Sequence, residues 1–281
     1  MPSASREAVL YAESEDGVLV AYRVFDAPAD DDAPADDDAP ADDDARAEAV
    51  PATEDGRALP PVLLVHGFAS DADVTWARTG WVRALNEAGR RVVTVDLRGH
   101  GESDKPTDAA EYAPAAFGAD LVAVLDTAGI ERVDAVGYSM GNRVISAMAA
   151  IAPGRLRRAV IGGAGPTELF ASWNLDEVRA LLLHDEPSGH RLIDQVLRPA
   201  IASGADREAL LGVVEGFAGA TLEFPRGIRS LFVIGEDDPV PDGARELAAA
   251  WGSEVVTIPG RDHVSTLTAR AFKDAAVGFL G

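Results

Sequence analysis

Short apolar segments alternate with helix-like stretches over most of the chain, and this alternation constrains the fold more than any other feature. The segments lack the polar alternation of a half-exposed strand, so both faces of each predicted strand are buried. Strand, helix and strand in repetition predict an α/β protein with a mostly parallel central sheet flanked by helices. The predicted strands are 62–66, 91–96, 132–137, 159–163, 231–235 and 254–258. In such a sheet, functional sites form at the carboxyl ends of the strands.

The remaining segments are arranged around this sheet. Residues 1–25 are predicted to add an N-terminal hairpin to the core, because two strand-like runs flank an Asp-Gly turn signal. Residues 61–165 and 229–281 form the predicted core. Between these two parts, residues 166–228 show helical periodicity without a strand signal. This pattern predicts an inserted helical cap.

Residues 26–60 are predicted to be a disordered acidic linker. Three tandem copies of APADDD fill residues 27–44, and the stretch from Asp26 to Ala45 holds ten aspartates and no basic residue. A repeat of Ala, Pro and Asp has no apolar surface to bury, and its charges repel one another. The repeat also lacks the glycine turn of a calcium-binding loop, so we expect no metal site there.

Charge and composition exclude several classes of function. The formal net charge of −22 would repel nucleic acids and anionic membrane surfaces. The absence of cysteine excludes disulfides, thiolate metal sites and a cysteine nucleophile. No apolar run reaches the roughly 20 residues that cross a bilayer, and no secretory signal is apparent. We therefore expect a cytoplasmic protein that acts on a small molecule, with no metal or organic cofactor implied and the oligomeric state left open.

A G-x-S-x-G motif carries the central functional prediction. Residues Gly137–Gly141, with the sequence GYSMG, follow a predicted strand directly and precede a helical run from Asn142 to Ile151. A serine on such a sharp strand-to-helix turn projects its hydroxyl from the edge of the sheet. The flanking glycines avoid collisions with neighbouring chain. Ser139 is therefore the predicted nucleophile.

A serine nucleophile needs a base, and the base needs a carboxylate that orients it. Among the five histidines, only His263 follows a late strand, and it is the predicted base. Asp238 is the predicted acid, because Pro239 favours an extended backbone there that can reach a neighbouring loop. Asp237 is the alternative acid and otherwise a turn residue. Asp262 precedes the base directly and is assigned to the structure of the loop.

Two backbone N–H groups are expected to bind the oxyanion that develops during acyl transfer. One belongs to Met140, directly after the nucleophile, and the other to Phe68, in the loop after the first parallel strand. His66 in that loop is predicted to be structural. Apolar cap residues are candidates for substrate binding, although they can equally pack the cap onto the core. The candidates are Phe170, Trp173, Leu181 and Phe217.

Five motifs occur along the chain in a fixed order. They are HGF at 66–68, DLRGHGESD at 96–104, GYSMG at 137–141, GEDDP at 235–239 and GRDH at 260–263. In this order they resemble the oxyanion loop, the next loop, the nucleophile turn, the acid loop and the histidine loop of the α/β-hydrolase superfamily, in its small-cap branch of bacterial serine esterase-like enzymes. The resemblance runs from about residue 8 to the C-terminus, apart from the APADDD insert, and implies the α/β-hydrolase fold. Asn142 departs from the pattern, since many relatives have glycine or alanine there, and we assign this difference to helix packing.

The resemblance and the serine together imply acyl-enzyme chemistry on a small carboxylic ester or related carbonyl compound. Related haloalkane dehalogenases and epoxide hydrolases use an aspartate nucleophile instead. C–C bond hydrolysis and perhydrolysis use the same triad and are the alternatives among enzymes. A non-catalytic ligand-binding protein on a hydrolase fold is the alternative of another class. A cap with few basic residues favours an uncharged, partly apolar substrate.

The resemblance also predicts where the acidic insert lies. In the family the second strand is antiparallel to the others, so the insert is expected at the end of the sheet opposite the site. Deletion of residues 26–44 is therefore predicted to change solubility and to leave turnover nearly unchanged.

Overall fold

One eight-stranded sheet forms the centre of the structure. The computed structural model describes residues 7–27 and 59–281, so most of the predicted acidic linker lies outside the described residues. The strands, in chain order, are β1 (Leu10–Glu13), β2 (Leu19–Phe25), β3 (Val62–Val65), β4 (Val92–Val95), β5 (Val133–Tyr138), β6 (Leu156–Gly162), β7 (Arg229–Gly235) and β8 (Glu254–Ile258). Their order across the sheet is β1-β2-β4-β3-β5-β6-β7-β8.

The six strands from β3 to β8 are parallel, as the apolar segments predict. Every residue of β3, β4 and β5 is buried, because helices cover both faces of the sheet. The predicted N-terminal hairpin is present as β1 and β2, which pair antiparallel with each other, and β2 pairs antiparallel with β4. The fold is therefore the predicted α/β architecture with a mostly parallel sheet.

The hairpin connects to the parallel strands at the end of the sheet where those strands begin. Phe25, the last residue of β2, pairs with Val92, and Val62, the first residue of β3, pairs with the same residue. The described chain thus leaves the hairpin and enters β3 at the amino-terminal end of the parallel strands. The carboxyl ends, where sites form in such sheets, lie at the opposite end.

Strand β6 begins at Leu156, three residues before its predicted start. The apolar pattern does not reveal this start, because the early residues Arg157 and Arg158 are charged. Arg157 donates to the buried carboxylate of Asp134 at 2.5 and 2.8 Å, and Arg158 donates to the backbone carbonyl of Phe279 at 2.5 Å. Their charges are therefore bound within the fold, which hydropathy alone does not reveal.

Helices pack on both faces of the sheet, and three of them, with no strand, separate β6 from β7. The helices of the described residues are α1 (Trp81–Glu87), α2 (Pro114–Thr127), α3 (Gly141–Ile151), α4 (Leu175–His184), α5 (Arg191–Ala202), α6 (Arg207–Phe217), α7 (Ala244–Trp251), α8 (His263–Thr268) and α9 (Arg270–Leu280). Asn174 and Asp206 cap α4 and α6 through their side chains. None of these helices is both long and apolar enough to cross a membrane.

A buried ion pair fixes the loop that follows β4. Arg98 donates to Asp120 on α2 at 2.6 and 2.7 Å, and neither side chain is exposed. A third bond from Arg98 reaches Asp16 in the turn of the hairpin at 2.8 Å. Removing one partner of such a buried pair typically costs about 3–5 kcal/mol, so these residues hold the hairpin and α2 against the loop.

Candidate active site

Ser139 lies on the turn between β5 and α3, in a conformation that residues with side chains rarely adopt. Its φ is 52°, in the left-handed region, and its backbone N–H donates to the carbonyl of Gly162 at 2.9 Å. A side chain on Gly137 would come within 2.5 Å of Asn142, and one on Gly141 would collide with the Val65 carbonyl. The motif glycines are therefore required by close packing around a strained serine.

His263 and Asp238 form a hydrogen-bonded pair. Nδ1 of His263 donates to Oδ2 of Asp238 at 2.8 Å, and Oδ1 of Asp238 accepts the N–H of Val240 at 2.9 Å. The Asp238 side chain is completely buried, whereas that of His263 is 29% exposed. With the proton on Nδ1, the lone pair of Nε2 is free to accept another proton. Asp237 is exposed, as expected for a turn residue.

The imidazole of His263 lies beside the Ser139 turn without a hydrogen bond to the serine hydroxyl. Its Cε1 is 3.0 Å from the position that a Cβ on Gly163 would occupy, and Gly163 follows the residue that binds the Ser139 N–H. The imidazole and the Tyr138 ring have centroids 5.1 Å apart. The structure therefore brings Ser139, His263 and Asp238 together at one edge of the sheet. Hydrogen bonds to a nucleophile are often long in free enzymes and shorten in complexes.

The loop after β3 lies against the same turn. A Cβ on Gly67 would be 3.2 Å from the Ser139 Cβ and 3.9 Å from its Oγ. Within residues 7–27 and 59–281, the backbone N–H groups of Phe68 and Met140 have no hydrogen-bond acceptor. Free N–H donors beside a serine can bind a developing oxyanion. Ala69, the next residue of the loop, has a φ of 59° and is a further strained position.

Two buried histidines shape this loop. His66 accepts the Leu97 N–H through Nε2 at 3.0 Å and donates from Nδ1 to the Gly67 carbonyl at 2.7 Å, so its predicted structural role is confirmed. His100 accepts the Ala69 N–H at 3.1 Å. Burial lowers the pKa of His66, and burial together with the neighbouring His66 lowers that of His100 to about 3. Both rings are therefore neutral, and neither is placed to transfer protons.

Asp262 caps the short helix that carries the base. Its carboxylate accepts the N–H of Ser265 at 2.8 Å and the hydroxyl of the same residue at 2.6 Å. These hydrogen bonds lower the pKa of Asp262. His263 is the first residue of α8, so the cap fixes the direction in which the imidazole enters the site. The assignment of Asp262 to loop structure is confirmed.

The four candidate substrate-binding residues differ in position. Phe170 and Trp173 pack on Phe68, with ring centroids 4.7 and 6.3 Å from it, and both retain a small exposed area. Leu181 and Phe217 have no exposed surface. Phe217 on α6 instead packs on a phenylalanine of α2, at a centroid distance of 5.1 Å. The structure thus gives these two residues a packing role and offers no open surface for their predicted contact with substrate.

A cavity of about 600 Å³ lies between α7 and the segments that precede α4 and follow α6. Its wall consists of the loop after β6, the segment before β7, and α7. None of the four candidate residues lines it, and neither does Ser139. The lining residues are Pro166, Thr167, Glu168, Ala171, Gly219, Ala220, Thr221, Leu222, Glu223, Phe224, Leu247 and Trp251.

Two residues of the site are not identified as functional by the sequence. Asn142 donates its side-chain amide to the backbone carbonyls of Ser139 and Gly162, so its role extends beyond the helix packing to which we assign it from sequence. Tyr138 donates its hydroxyl to the backbone carbonyl of His263. Neither contact has a spacing signature, because the partners are backbone atoms. Within the described ranges, no group of three or more His, Cys, Asp or Glu side chains could hold a metal ion.

Comparison with known proteins identifies the fold. Residues 60–187 match the family described as alpha/beta hydrolase fold. The structure resembles that of the enol-lactonase from Burkholderia xenovorans LB400, with a TM-score of 0.69, 24% identity, and coverage of 96% of this chain and 99% of that one. The protein therefore has the α/β-hydrolase fold. Residues 60–187 are thus similar to that family, and the likeness in fold extends beyond them.

Curated relatives match only part of the chain. An epoxide hydrolase from Caballeronia sordidicola is 40% identical over 89 residues, which cover 32% of this chain and 26% of the relative. A 2-hydroxymuconate semialdehyde hydrolase from Pseudomonas sp. (strain CF600) is 35% identical over 119 residues, which cover 42% of this chain and 41% of the relative. The matched stretch thus spans less than half of either relative.

Proposed function

We propose that the protein is a serine hydrolase that acts through an acyl-enzyme on a small carboxylic ester or related carbonyl compound. Ser139 is the nucleophile, His263 the base and Asp238 the acid that orients it. The observation that carries the proposal is the 2.8 Å pair of His263 and Asp238 beside a serine held at a φ of 52°. A strained serine next to an oriented imidazole is the arrangement that activates a hydroxyl for attack.

The chemistry follows from the atoms of these groups that can accept or donate a proton or a hydrogen bond. As Ser139 Oγ bonds to the carbonyl carbon of the substrate, Nε2 of His263 takes the hydroxyl proton, and Asp238 stabilises the imidazolium. The oxygen of the tetrahedral adduct accepts hydrogen bonds from the N–H groups of Phe68 and Met140. The imidazolium then donates its proton to the leaving alcohol. Water repeats the sequence and releases the acid, which regenerates the free serine.

The identity of the nucleophile argues against epoxide opening, although several relatives are named epoxide hydrolases. A carboxylate that opens an epoxide forms an ester, which water can hydrolyse. A serine would form an ether, and the site has no means of cleaving an ether. The chemistry of Ser139 therefore favours substrates with a carbonyl carbon, for which the covalent intermediate is itself an ester.

C–C bond hydrolysis is the second candidate function. The relative named 2-hydroxymuconate semialdehyde hydrolase supports it, since the matched stretch covers 42% of this chain. The same nucleophile, base and oxyanion donors could attack an activated ketone and expel a carbanion stabilised by conjugation. The two candidates therefore differ in the substrate and share the proposed catalytic residues.

Fluorophosphonate labelling of the full chain tests the proposed function, with Ser139→Ala as the variant that cannot react. We expect covalent labelling of the wild-type protein alone, together with hydrolysis of p-nitrophenyl acetate or butyrate. A series of acyl chain lengths and one vinylogous diketone then separates ester from C–C hydrolysis. A folded wild-type protein that resists the probe and cleaves neither substrate class would instead support a non-catalytic ligand-binding protein.

A further inference from the structure

Asn142 is the second residue of α3, and its side chain is completely buried beside the Ser139 turn. Its Nδ2 donates to the carbonyl of Ser139 at 3.1 Å and to the carbonyl of Gly162 at 2.9 Å. The backbone N–H of Ser139 binds the same Gly162 oxygen at 2.9 Å. One side-chain amide therefore connects the strained serine to the neighbouring strand β6.

The surroundings fix the orientation of this amide. Two carbonyl oxygens can bind only a donor, so Nδ2 must face them. Oδ1 is then buried without a hydrogen-bond partner in the described structure, and it lies 2.5 Å from the position of a Cβ on Gly137. An unsatisfied buried acceptor destabilises the folded state. Stability alone therefore does not account for asparagine at this position.

The carbonyls that Asn142 binds would each keep a donor if its side chain were removed. The Gly162 oxygen would still accept the Ser139 N–H, and the Ser139 oxygen would still accept the Asn142 backbone N–H at 3.2 Å. Alanine at position 142 would also remove the unsatisfied Oδ1. The change would instead remove contacts that hold the backbone of Ser139, whose conformation is unfavourable and depends on its surroundings.

We propose that Asn142 is a positioning residue, whose amide holds the Ser139 turn in its strained conformation through the Ser139 and Gly162 carbonyls. This proposal rests on the proposed function, because it concerns the reactivity of Ser139. Small displacements of a reacting group can cost about 10²-fold in rate, since alignment with the base and the oxyanion donors is lost. When the Asn142 amide is removed, we expect part of this loss of rate. It should affect the acylation step and not substrate binding.

The test compares Asn142→Ala and the isosteric Asn142→Asp with wild-type protein. We expect fluorophosphonate labelling and kcat for p-nitrophenyl butyrate to fall about tenfold in both variants, and KM to change less than about twofold. The melting temperature of the alanine variant should stay near the wild-type value.

The chain offers a matched control in Asn86. Its Nδ2 also donates to two backbone carbonyls, those of Phe25 at 3.3 Å and Arg90 at 2.9 Å, at the opposite end of the sheet. Asn86→Ala removes an equivalent pair of bonds and should leave labelling and kcat unchanged.

Three results would overturn the positioning role. One is labelling of Asn142→Ala at the wild-type rate. Another is an equal loss of labelling in Asn86→Ala and Asn142→Ala. The third is failure of both Asn142 variants to fold. Either of these two results assigns Asn142 to the stability of the fold. A wild-type protein that resists the probe refutes the proposed function and this proposal with it, which distinguishes that failure from the first.

Discussion

Replacing Asp238 by asparagine tests the proposed site most directly. Oδ1 of Asp238 accepts the Val240 N–H at 2.9 Å. In the variant, the side-chain oxygen of asparagine would take this position, because the Val240 N–H needs an acceptor there. The asparagine NH₂ group would then face Nδ1 of His263, 2.8 Å from the present Oδ2. Two donors cannot share a hydrogen bond, so the imidazole would move its proton to Nε2. In that tautomer the ring cannot accept the Ser139 proton.

The size of the effect follows from the two interactions lost. Forcing the productive tautomer leaves buried donors unpaired, which costs about 1–3 kcal/mol. The imidazolium also loses its carboxylate, which is worth about 4 kcal/mol for unit charges 4 Å apart at an effective dielectric of 20. At about 1.36 kcal/mol for each tenfold change, acylation should slow about 10⁴-fold.

The assay is the pre-steady-state burst with p-nitrophenyl butyrate, read beside the melting temperature of each variant. The matched control is Asp237→Asn, because Asp237 is exposed and contributes its backbone N–H to the Arg261 carbonyl at 3.0 Å. We expect this control to keep the wild-type burst rate within about twofold. More than a tenth of the wild-type rate in folded Asp238→Asn would refute the reasoning, and so would an equal loss in the control.

Three further predictions follow from the same edge of the sheet. Because His100 has a folded pKa of about 3 against an ordinary value of 6.5, the folded state binds fewer protons, so the free energy of unfolding is intact above pH 6.5 and falls below it. Each such histidine contributes about 1.4 kcal/mol per pH unit to the slope of the free energy of unfolding against pH, so the slope should be smaller in His100→Gln. Urea unfolding between about pH 8 and 5 measures this slope, and an unchanged slope contradicts the burial argument. Tyr138→Phe removes the bond to the His263 carbonyl and should lower kcat about tenfold at nearly constant KM, whereas wild-type kinetics would exclude this support for the base. The free energy of unfolding of Ser139→Gly should be about 1 kcal/mol higher than that of the equally inactive Ser139→Ala, because glycine tolerates a φ of 52°. Equal denaturant midpoints of the two variants would show that the turn is unstrained.

The sequence predicts the sheet well because its strands are apolar on both faces. The predicted strand at 254–258 coincides with β8, whereas β6 starts earlier than predicted, at Leu156. The discrepancy arises from Arg157 and Arg158, whose charges are satisfied by contacts far away in the chain. Hydropathy describes a residue without its partners, so a strand that begins with paired charges looks like a loop.

The site is predictable to the extent that it follows strand ends. Ser139 directly follows a parallel strand, Asp238 and His263 lie in the loops after two others, and the carboxyl ends of parallel strands meet at one edge. Apolar residues at helical spacing are less informative, because the same pattern serves a packed helix and a pocket wall. Leu181 and Phe217 illustrate this ambiguity, since both are fully buried.

The register of β3 determines how the protein could be attached to a surface. Val62 pairs with Asp134, five residues before Ser139 along β5, which corresponds to about 17 Å at the rise of a strand. Phe25 lies at the same rim as Val62, since both pair with Val92. An affinity handle or fluorophore introduced between Phe25 and Val62 would therefore be anchored at the rim remote from the serine, and a support bound there would leave the opposite face open to solution.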